Sequence, residues 1–220
     1  MPIRTKDLVL ISILAALAFI TTLFVRVPIM PAAPFLDYDP KDITIVIGGF
    51  LFGPLPALAM AFIVAFLEMV TVSAAGPIGM LMNTLSSAAF ACTAAMIYKH
   101  KHNLPGAVVG LVAGCAMAVA VMLLWNYIVT PIYMGVPREV VTAMLLPVFF
   151  PFNLIKYILN ASAAMILYKP VAIALRASGA RDGDTMDSAK RGKPNLGVLL
   201  VSTFVIISTL FLILALQGRI

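Results

Sequence analysis

Residues 105–128 read PGAVVGLVAGCAMAVAVMLLWNYI, a run without a single charged side chain. A helix needs about 20 residues to cross the hydrocarbon core of a bilayer, so this run is long enough to span it. The rest of the chain has the same character, because 62% of its 220 residues are hydrophobic and 11% are charged. Soluble domains carry about 25% charged residues. The sequence therefore predicts an all-α protein embedded in a membrane.

Seven apolar segments follow one another along the chain, at about 8–25, 42–52, 55–72, 79–98, 105–128, 146–168 and 196–216. The second segment is too short to cross a bilayer straight, unless Gly48, Gly49 and the turn at Gly53 and Pro54 are embedded within protein. The first six segments predict a six-helix membrane core over residues 1–169. Residues 170–195 are polar and have the composition of a cytoplasmic linker, and residues 196–220 predict an additional C-terminal transmembrane helix.

Lysine and arginine are unevenly distributed between the two ends of these segments. Ten of the fifteen lie on the side of the N-terminus, four lie on the other side, and Lys156 falls inside a segment. Loops rich in lysine and arginine stay in the cytoplasm. We therefore expect a cytoplasmic N-terminus and outer loops at about 26–41, 73–78 and 129–145.

Polar side chains are rare inside the segments, and six of them fall near the predicted outer ends. They are Glu68, Asn83, Asn126, Asn153, Lys156 and Asn160. The last three follow a spacing of i, i+3 and i+7, which places them on one face of a helix. Polar groups cost free energy in a membrane and usually serve a ligand or a pathway. The pattern predicts a site near the outer surface for a small molecule with a polar edge.

Each of these polar residues also has a structural explanation. An asparagine in a membrane helix often hydrogen-bonds a neighbouring helix, and a lysine near a helix end often extends to the headgroups. Glu68 and Lys156 could also neutralise one another as a buried pair. These explanations account for single residues more easily than for a set of six on one side of the membrane.

The first outer loop has an unusual composition. Residues 28–40 read PIMPAAPFLDYDP and contain four prolines, which restrict the backbone. Such a loop is long for an inert connection. We expect Phe35, Leu36 and Tyr38 to cover an apolar part of the ligand, while Asp37 and Asp39 face water. The loop is thus predicted to be a lid, the alternative being a plain proline-rich connector.

Motifs for nucleotide hydrolysis, zinc proteolysis and serine hydrolysis do not occur in this sequence. Cys92 and Cys115 stand singly in apolar segments and predict neither a disulfide nor a metal site. We predict no catalytic residue, no metal and no resident cofactor. Two alternatives remain from other classes: an intramembrane enzyme with Glu68 and Lys156 as acid and base, and a membrane scaffold without a ligand.

Five short strings occur in a fixed order along the chain: FLDYDPKDI at 35–43, GFLFGP at 49–54, GPIGMLMN at 76–83, NYIVTP at 126–131 and PFNLIK at 151–156. Together they resemble the riboflavin-specific substrate-binding (S) components, of the RibU type, of energy-coupling factor (ECF) transporters. The resemblance covers residues 8–169. It implies a six-helix S component in a bacterial plasma membrane, which binds riboflavin from the outer face as a transported ligand. It also implies a transmembrane T subunit and two cytoplasmic ATPase subunits as partners.

The resemblance also assigns roles to individual positions. It implies that residues 36–38 and the side chains of Asn83, Asn126, Asn153 and Lys156 line the riboflavin site. The first helix of such proteins usually docks the T subunit through an Ala-x-x-x-Ala motif, and Ser12 and Ala16 stand at the equivalent spacing here. An S component for another vitamin is the alternative within the same class.

Riboflavin suits the polar residues independently of the resemblance. Its ring is flat and largely apolar with acceptors along the edge, and its tail is a row of hydroxyls. Apolar walls with a few amides and one lysine match such a molecule. FMN carries a phosphate, for which the sequence offers no cluster of arginines.

Overall fold

The computed structural model describes residues 4–31, 33, 35–177 and 196–217, and these residues are almost entirely helical. The helices are α1 (Thr5–Phe24), α2 (Lys41–Phe52), α3 (Pro54–Thr71), α4 (Gly76–His100), α5 (Leu104–Ile128), α6 (Thr130–Met134), α7 (Arg138–Met144), α8 (Phe150–Ala177) and α9 (Leu196–Leu216). A π-helical turn, Leu145–Phe149, joins α7 to α8. In the α1–α2 loop, β1 (Val27–Pro28) pairs antiparallel with β2 (Asp37–Tyr38). The prediction of an all-α protein is confirmed.

Six helical segments of the described chain are long and apolar enough to cross a membrane: α1, α3, α4, α5, α7 continued into α8, and α9. Their number and apolar length support a protein that crosses the membrane several times. The second predicted segment forms α2, which has only 12 residues and is buried at ten of them. A helix that is apolar on all sides needs protein around it, and α1, α3, α4 and α8 surround α2.

Glycine allows α2 to lie this close to its neighbours. A Cβ on Gly49 would lie 3.0 Å from the Cβ of Ala95 on α4 and 3.2 Å from the Cβ of Ala57 on α3. Gly53 then ends α2 at φ 99° and starts the turn into α3, a conformation that other residues rarely adopt. The turn folds α3 back along α2 and fixes where the first residues of α2 sit.

Helices α4 and α5 approach closely for the same reason. A Cβ on Gly110 would lie 2.7 Å from the carbonyl oxygen of Ala94, and one on Gly114 would lie 2.6 Å from that of Phe90. The two glycines are four residues apart, so they lie on one face of α5. Small residues at this spacing let helix backbones touch in membranes, where lipid supplies no hydrophobic force between helices.

The segment predicted as a third outer loop, 129–145, is instead helical. Pro131 lies in the first turn of α6, Gly135 ends that helix at φ 64°, and Pro137 precedes α7. Proline fits the first turn of a helix because its missing N–H has no partner there. The predicted outer loop thus contains two short helices, which Gly135 and Pro137 separate.

The boundaries of the predicted linker also change. α8 continues through Pro170 to Ala177, so the first part of the predicted linker 170–195 is helix. The rest of it, 178–195, lies outside the described residues. Helix α9 packs along α8 and ends beside the α1–α2 loop, where Gln217 Nε2 donates to the carbonyl oxygen of Pro28 at 3.1 Å. We call the end of the bundle that carries the α1–α2 loop the loop end.

Candidate functional site

An ion pair at the loop end joins three helices beneath the α1–α2 loop. Lys41, in the first turn of α2, is 1% exposed, and its Nζ lies 2.9 and 2.8 Å from the two carboxylate oxygens of Glu68 on α3. Asn83 of α4 donates from Nδ2 to Glu68 Oε2 at 2.8 Å. Burying a charge is costly unless it is paired and hydrogen-bonded, and the Glu68 carboxylate has both kinds of partner.

A second set of bonds ties the loop to α8. The Nζ of Lys156 lies 2.9 Å from Asp39 Oδ2, and the Tyr38 hydroxyl donates to Asn160 Oδ1 at 3.0 Å. Lys156 and Asn160 are one turn apart on the same face of α8. The Nζ of Lys41 lies 3.8 Å from the same Asp39 oxygen. The two sets therefore form one continuous network, which we call the loop-end network.

Acidic groups outnumber basic groups in this network. Asp42 of α2 is fully buried, and its Oδ1 accepts a hydrogen bond from the Ser87 hydroxyl of α4. With Asp39 and Glu68, it makes three carboxyl groups against the two ammonium groups of Lys41 and Lys156. Both ammonium groups already contact carboxylates, so an anionic ligand would have to compete with these carboxylates.

Three polar atoms of the network have no hydrogen-bond partner among the described residues. They are Asp39 Oδ1, Asp42 Oδ2 and Asn160 Nδ2, all buried. Native proteins rarely leave buried polar atoms unpaired, so each calls for an explanation. Together they offer two acceptors and one donor below the loop, which is what a polar-edged ligand requires.

Burial and neighbouring charges set the protonation states in the loop. Burial by itself raises the pKa of Asp39, but the ammonium groups of Lys156 and Lys41 lower it to about 2. Burial, followed by the adjacent Asp39 carboxylate, raises the pKa of the Tyr38 hydroxyl to about 12. At neutral pH, Asp39 is therefore a carboxylate and Tyr38 a neutral hydroxyl that can donate to Asn160.

The two remaining predicted asparagines do not join this network by hydrogen bonds. Asn126 is buried near the end of α5, donates to the carbonyl oxygen of Met122 at 2.7 Å and accepts from the Thr130 hydroxyl. Asn153 is buried in α8 and donates to the carbonyl oxygen of Phe149 at 2.8 Å. The Asn153 amide thus bonds within α8, whereas the Asn126 amide bonds within α5 and to the first residue of α6.

The loop residues predicted as a lid lie at different depths. Phe35 is 54% exposed, and its ring centroid lies 6.4 Å from that of Phe149. Asp37 is half-buried in β2. Leu36 and Tyr38 pack against an apolar group that we call the loop cluster. Its buried members are Ile29, Met30, Ala33, Val148, Phe152, Ile155, Leu159 and Ile213.

Three sequence interpretations are corrected by this geometry. Asp39 is 7% exposed and bonded to Lys156, so the expectation that it faces water was wrong. Glu68 and Lys156 do not pair with each other, because Lys41 reaches Glu68 from α2 and Asp39 reaches Lys156 from the loop. Lys41, placed in an outer loop from the sequence, is buried in the first turn of α2.

Three residues of the site, Asp39, Lys41 and Asp42, were not predicted from the sequence, although the sequence contains a pattern that points to them. The short segment that follows them is apolar on all sides, which predicts a helix enclosed by protein. Charged residues at the start of such a helix must enter the protein with it and find partners there. Their position next to the segment, read together with its shortness, would have placed them in the site.

The two residues predicted to dock a partner lie on the outward side of α1. Ser12 and Ala16 are both exposed, one turn apart. The face of α1 that contacts the bundle carries other residues, among them Leu14, Ala15 and Ala18. The small pair is therefore available to a partner helix, and its docking role stays a prediction.

Known proteins match most of this chain. The family model for the ECF transporter, substrate-specific component, matches residues 6–168. The riboflavin transporter RibU of Staphylococcus aureus (strain TCH60) is 31% identical over 175 residues, which cover 77% of this chain and 92% of that protein. The riboflavin transporter FmnP of Bacillus subtilis (strain 168) is 29% identical over 133 residues, which cover 59% and 70%.

A solved structure agrees with these matches. The S component of a bacterial ECF transporter superposes on this chain with a TM-score of 0.66 at 30% identity. The superposition covers 78% of this chain and 98% of that one. The predicted S-component bundle with an additional C-terminal helix is confirmed, since the family match ends at residue 168 and α9 lies beyond it. On the family match, the relatives and the superposed fold, the chain belongs to the substrate-specific components of ECF transporters.

Proposed function

We propose that this chain is the riboflavin-binding subunit of an ECF uptake transporter in a bacterial plasma membrane. The observation that carries the proposal is the set of unpaired buried atoms below the loop, Asp39 Oδ1, Asp42 Oδ2 and Asn160 Nδ2. They are what a neutral ligand with both donors and acceptors would satisfy. The similarity to two proteins named riboflavin transporters supports the same ligand.

Riboflavin matches these atoms by its chemistry. The ring edge has carbonyl acceptors and an imide N–H donor, and each ribityl hydroxyl both donates and accepts. The apolar ring would lie against the aromatic and aliphatic side chains of the loop cluster. FMN adds a phosphate, and both ammonium groups of the loop-end network are already paired with carboxylates. Riboflavin is therefore expected to bind more tightly than FMN.

The α1–α2 loop would act as the gate of the site. Its two bonds to α8, Asp39 to Lys156 and Tyr38 to Asn160, hold it over the buried atoms. Access of a ligand from the outer side requires these bonds to open, because both connect the loop to the wall of the site. Buried bonds of this kind are costly to leave unmade, so the loop would close again once the ligand is bound.

We assign ligand binding to the loop and to the polar residues of the surrounding helices. In this assignment Glu68 acts by holding Lys41 and Asn83 in place. The full set predicted from the sequence is Phe35, Leu36, Asp37, Tyr38, Glu68, Asn83, Asn126, Asn153, Lys156 and Asn160. The geometry adds Asp39 and Asp42 to it.

The remaining parts of the chain would serve orientation and assembly. Residues 1–169 would form the binding core, 170–195 a cytoplasmic connection and 196–220 an accessory membrane helix, with the N-terminus in the cytoplasm. A T subunit would dock on the exposed Ser12 and Ala16 face of α1, because helices pack closely in membranes where side chains are small. Two ATPase subunits would supply the nucleotide hydrolysis for which the chain has no motif.

Titration of the purified protein with riboflavin and with FMN tests this proposal. Flavin fluorescence is expected to be quenched on binding, and the dissociation constant for FMN is expected to be at least about tenfold higher. Equal or tighter FMN binding would contradict the argument from charge. A flavin-free preparation that binds neither compound would contradict the proposed function as a whole.

A further inference from the structure

Helix α9 touches the loop that is proposed to gate the site, although it lies beyond the residues that match the family model. The side chain of Gln217, just after α9, donates to the carbonyl oxygen of Pro28 in β1. Ile213, one turn earlier, is 7% exposed and belongs to the loop cluster. The last turn of α9 therefore contacts the loop by both a polar and an apolar interaction.

The loop cluster to which Ile213 belongs is formed in part by the gate itself. The loop cluster contains Ile29, Met30 and Ala33, which lie between β1 and β2. These three residues are buried at 5% exposure or less. The same hairpin carries Tyr38 and Asp39, whose bonds to α8 close the site. Movement of the hairpin away from α8 would therefore break up the cluster to which Ile213 belongs.

The other half of α9 is packed differently. A cavity of about 790 Å³ lies between α5, α8 and the first half of α9. Its walls are mostly aliphatic and include Leu111, Leu154, Val198 and Val201. Ser202 is buried beside this cavity, and Thr209 and Ile213 are buried nearer the loop end, where Ile213 joins the loop cluster.

From these contacts we infer that α9 is a brace that holds the α1–α2 loop closed, with Ile213 and Gln217 as its positioning residues. The brace acts on the gate of the site and in that respect rests on the proposed function. Opening the loop must expose Ile213 and the loop residues that it covers, which costs free energy in proportion to the apolar area. The brace therefore slows both opening of the loop and release of the ligand.

A thiol-labelling experiment tests the brace without any ligand. In the full chain with Cys92→Ala and Cys115→Ala, a cysteine is introduced by Ala33→Cys, at a position that is 0% exposed in the closed loop. The rate of reaction with a membrane-impermeant maleimide then reports opening of the loop. Ile213→Ala is expected to raise this rate at least about tenfold, because truncating a buried isoleucine costs more free energy than that factor represents.

Val198→Ala is the matched control. Val198 is half-buried and lines the cavity at the far end of the same helix, so its truncation also loosens α9 but away from the loop. Its labelling rate is expected to stay within about twofold of the parent. The brace would be overturned if Ile213→Ala and Val198→Ala accelerated labelling equally. It would also be overturned if the protein without either substitution were already labelled rapidly. Size-exclusion profiles identify variants that fail to fold, and Gln217→Ala then provides a milder second test with a smaller rise in rate.

The release rate of bound riboflavin provides a test in which failure of the brace and failure of the proposed function can be told apart. In the parent protein, Ile213→Ala is expected to raise the release rate of bound riboflavin, whereas Val198→Ala leaves it unchanged. If riboflavin binds and neither labelling nor release responds to Ile213→Ala, the brace is wrong and the proposed function stands. If riboflavin fails to bind but labelling accelerates as expected, the brace stands and the ligand assignment is wrong.

Discussion

The loop-end network and the pair Asn126 and Asn153 show two ways of placing polar groups in a membrane bundle. In the network, Lys41, Glu68 and Lys156 find partners on other elements, up to 117 residues away in the chain. Asn126 and Asn153 each donate to a carbonyl oxygen four residues earlier in the chain. An amide can bond to its own helix in this way, whereas a buried charge needs a group of opposite charge. The first arrangement fixes the positions of helices and loop, and the second leaves the fold less dependent on the side chain.

The largest effect is expected when one charge of the network loses its closest partner. Glu68→Ala removes the carboxylate nearest to Lys41, which is 1% exposed, and leaves the Asp39 carboxylate 3.8 Å away. Breaking a buried pair costs up to about 3–5 kcal/mol. Thermal unfolding of the purified protein in detergent measures this loss. The double variant Lys41→Met with Glu68→Leu removes both charges and is expected to recover most of it. A melting temperature unchanged by Glu68→Ala would show that the pair contributes little to stability.

Loss of the bond between Asp39 in the loop and Lys156 in α8 should lower the affinity for the ligand more than it lowers the stability of the fold. Lys156→Met leaves Asp39 without its closest partner, but Asp39 lies in a loop that can move towards water. We expect riboflavin affinity to fall by about 5-fold to 150-fold, the range for a lost buried hydrogen bond of about 1–3 kcal/mol. Fluorescence titration and thermal unfolding are measured on the same sample. Unchanged affinity together with a large loss of stability would assign Lys156 a structural role only.

Asn126 and Asn153, which donate to carbonyl oxygens of their own helices, provide a direct test of the comparison. Asn126→Ala and Asn153→Ala are each expected to reduce the free energy of unfolding by about 1 kcal/mol or less, because each amide makes a local bond to its own helix. Their effect on riboflavin affinity is expected to be greater than their effect on stability. Should either variant unfold as readily as Glu68→Ala, the distinction between the two arrangements would fail.

The pH dependence of stability should distinguish the Asp39 carboxylate in the loop from the side-chain amides of Asn126 and Asn153. The pKa of Asp39 is lowered from 3.8 to about 2 by its lysine neighbours, against the effect of burial. A lowered pKa contributes stability that is fully present above the ordinary value and is lost as pH falls towards the folded value. The stability advantage of the parent over Asp39→Asn should therefore stay constant from about pH 7 to pH 5 and decline below about pH 4. An advantage that persists unchanged at pH 3 would contradict the role of the charge.

The smallest effect on binding is expected from a substitution in α1, which contributes neither to the loop-end network nor to the pair Asn126 and Asn153. Ala16→Trp places a large side chain on the exposed face of α1, so riboflavin affinity should remain within about twofold of the parent. The same variant should prevent co-purification with the T subunit and the ATPases, because close approach of helices requires small side chains. An intact complex, or loss of riboflavin binding by the isolated chain, would contradict the docking assignment.

Much of the polar site was predictable, but its pairing was not. Glu68, Asn83, Lys156 and Asn160 were identified because polar groups inside apolar segments are costly and therefore informative. The choice of Lys41 as the partner of Glu68 depends on α2 folding into the centre of the bundle. The burial of Asp39 depends on the hairpin lying against α8. Neither arrangement is encoded in the pattern of a single segment.

The sequence by itself determined the membrane-spanning helices, because an apolar run such as 105–128 is long enough to span a bilayer whatever surrounds it. It also determined that the second segment is too short to span a bilayer straight. Only the tertiary structure decided which charges pair, that Asn126 and Asn153 bond to their own helices, and that α9 reaches the α1–α2 loop. Hydropathy is a local property of neighbouring residues, whereas an ion pair depends on where helices distant in the chain come to lie.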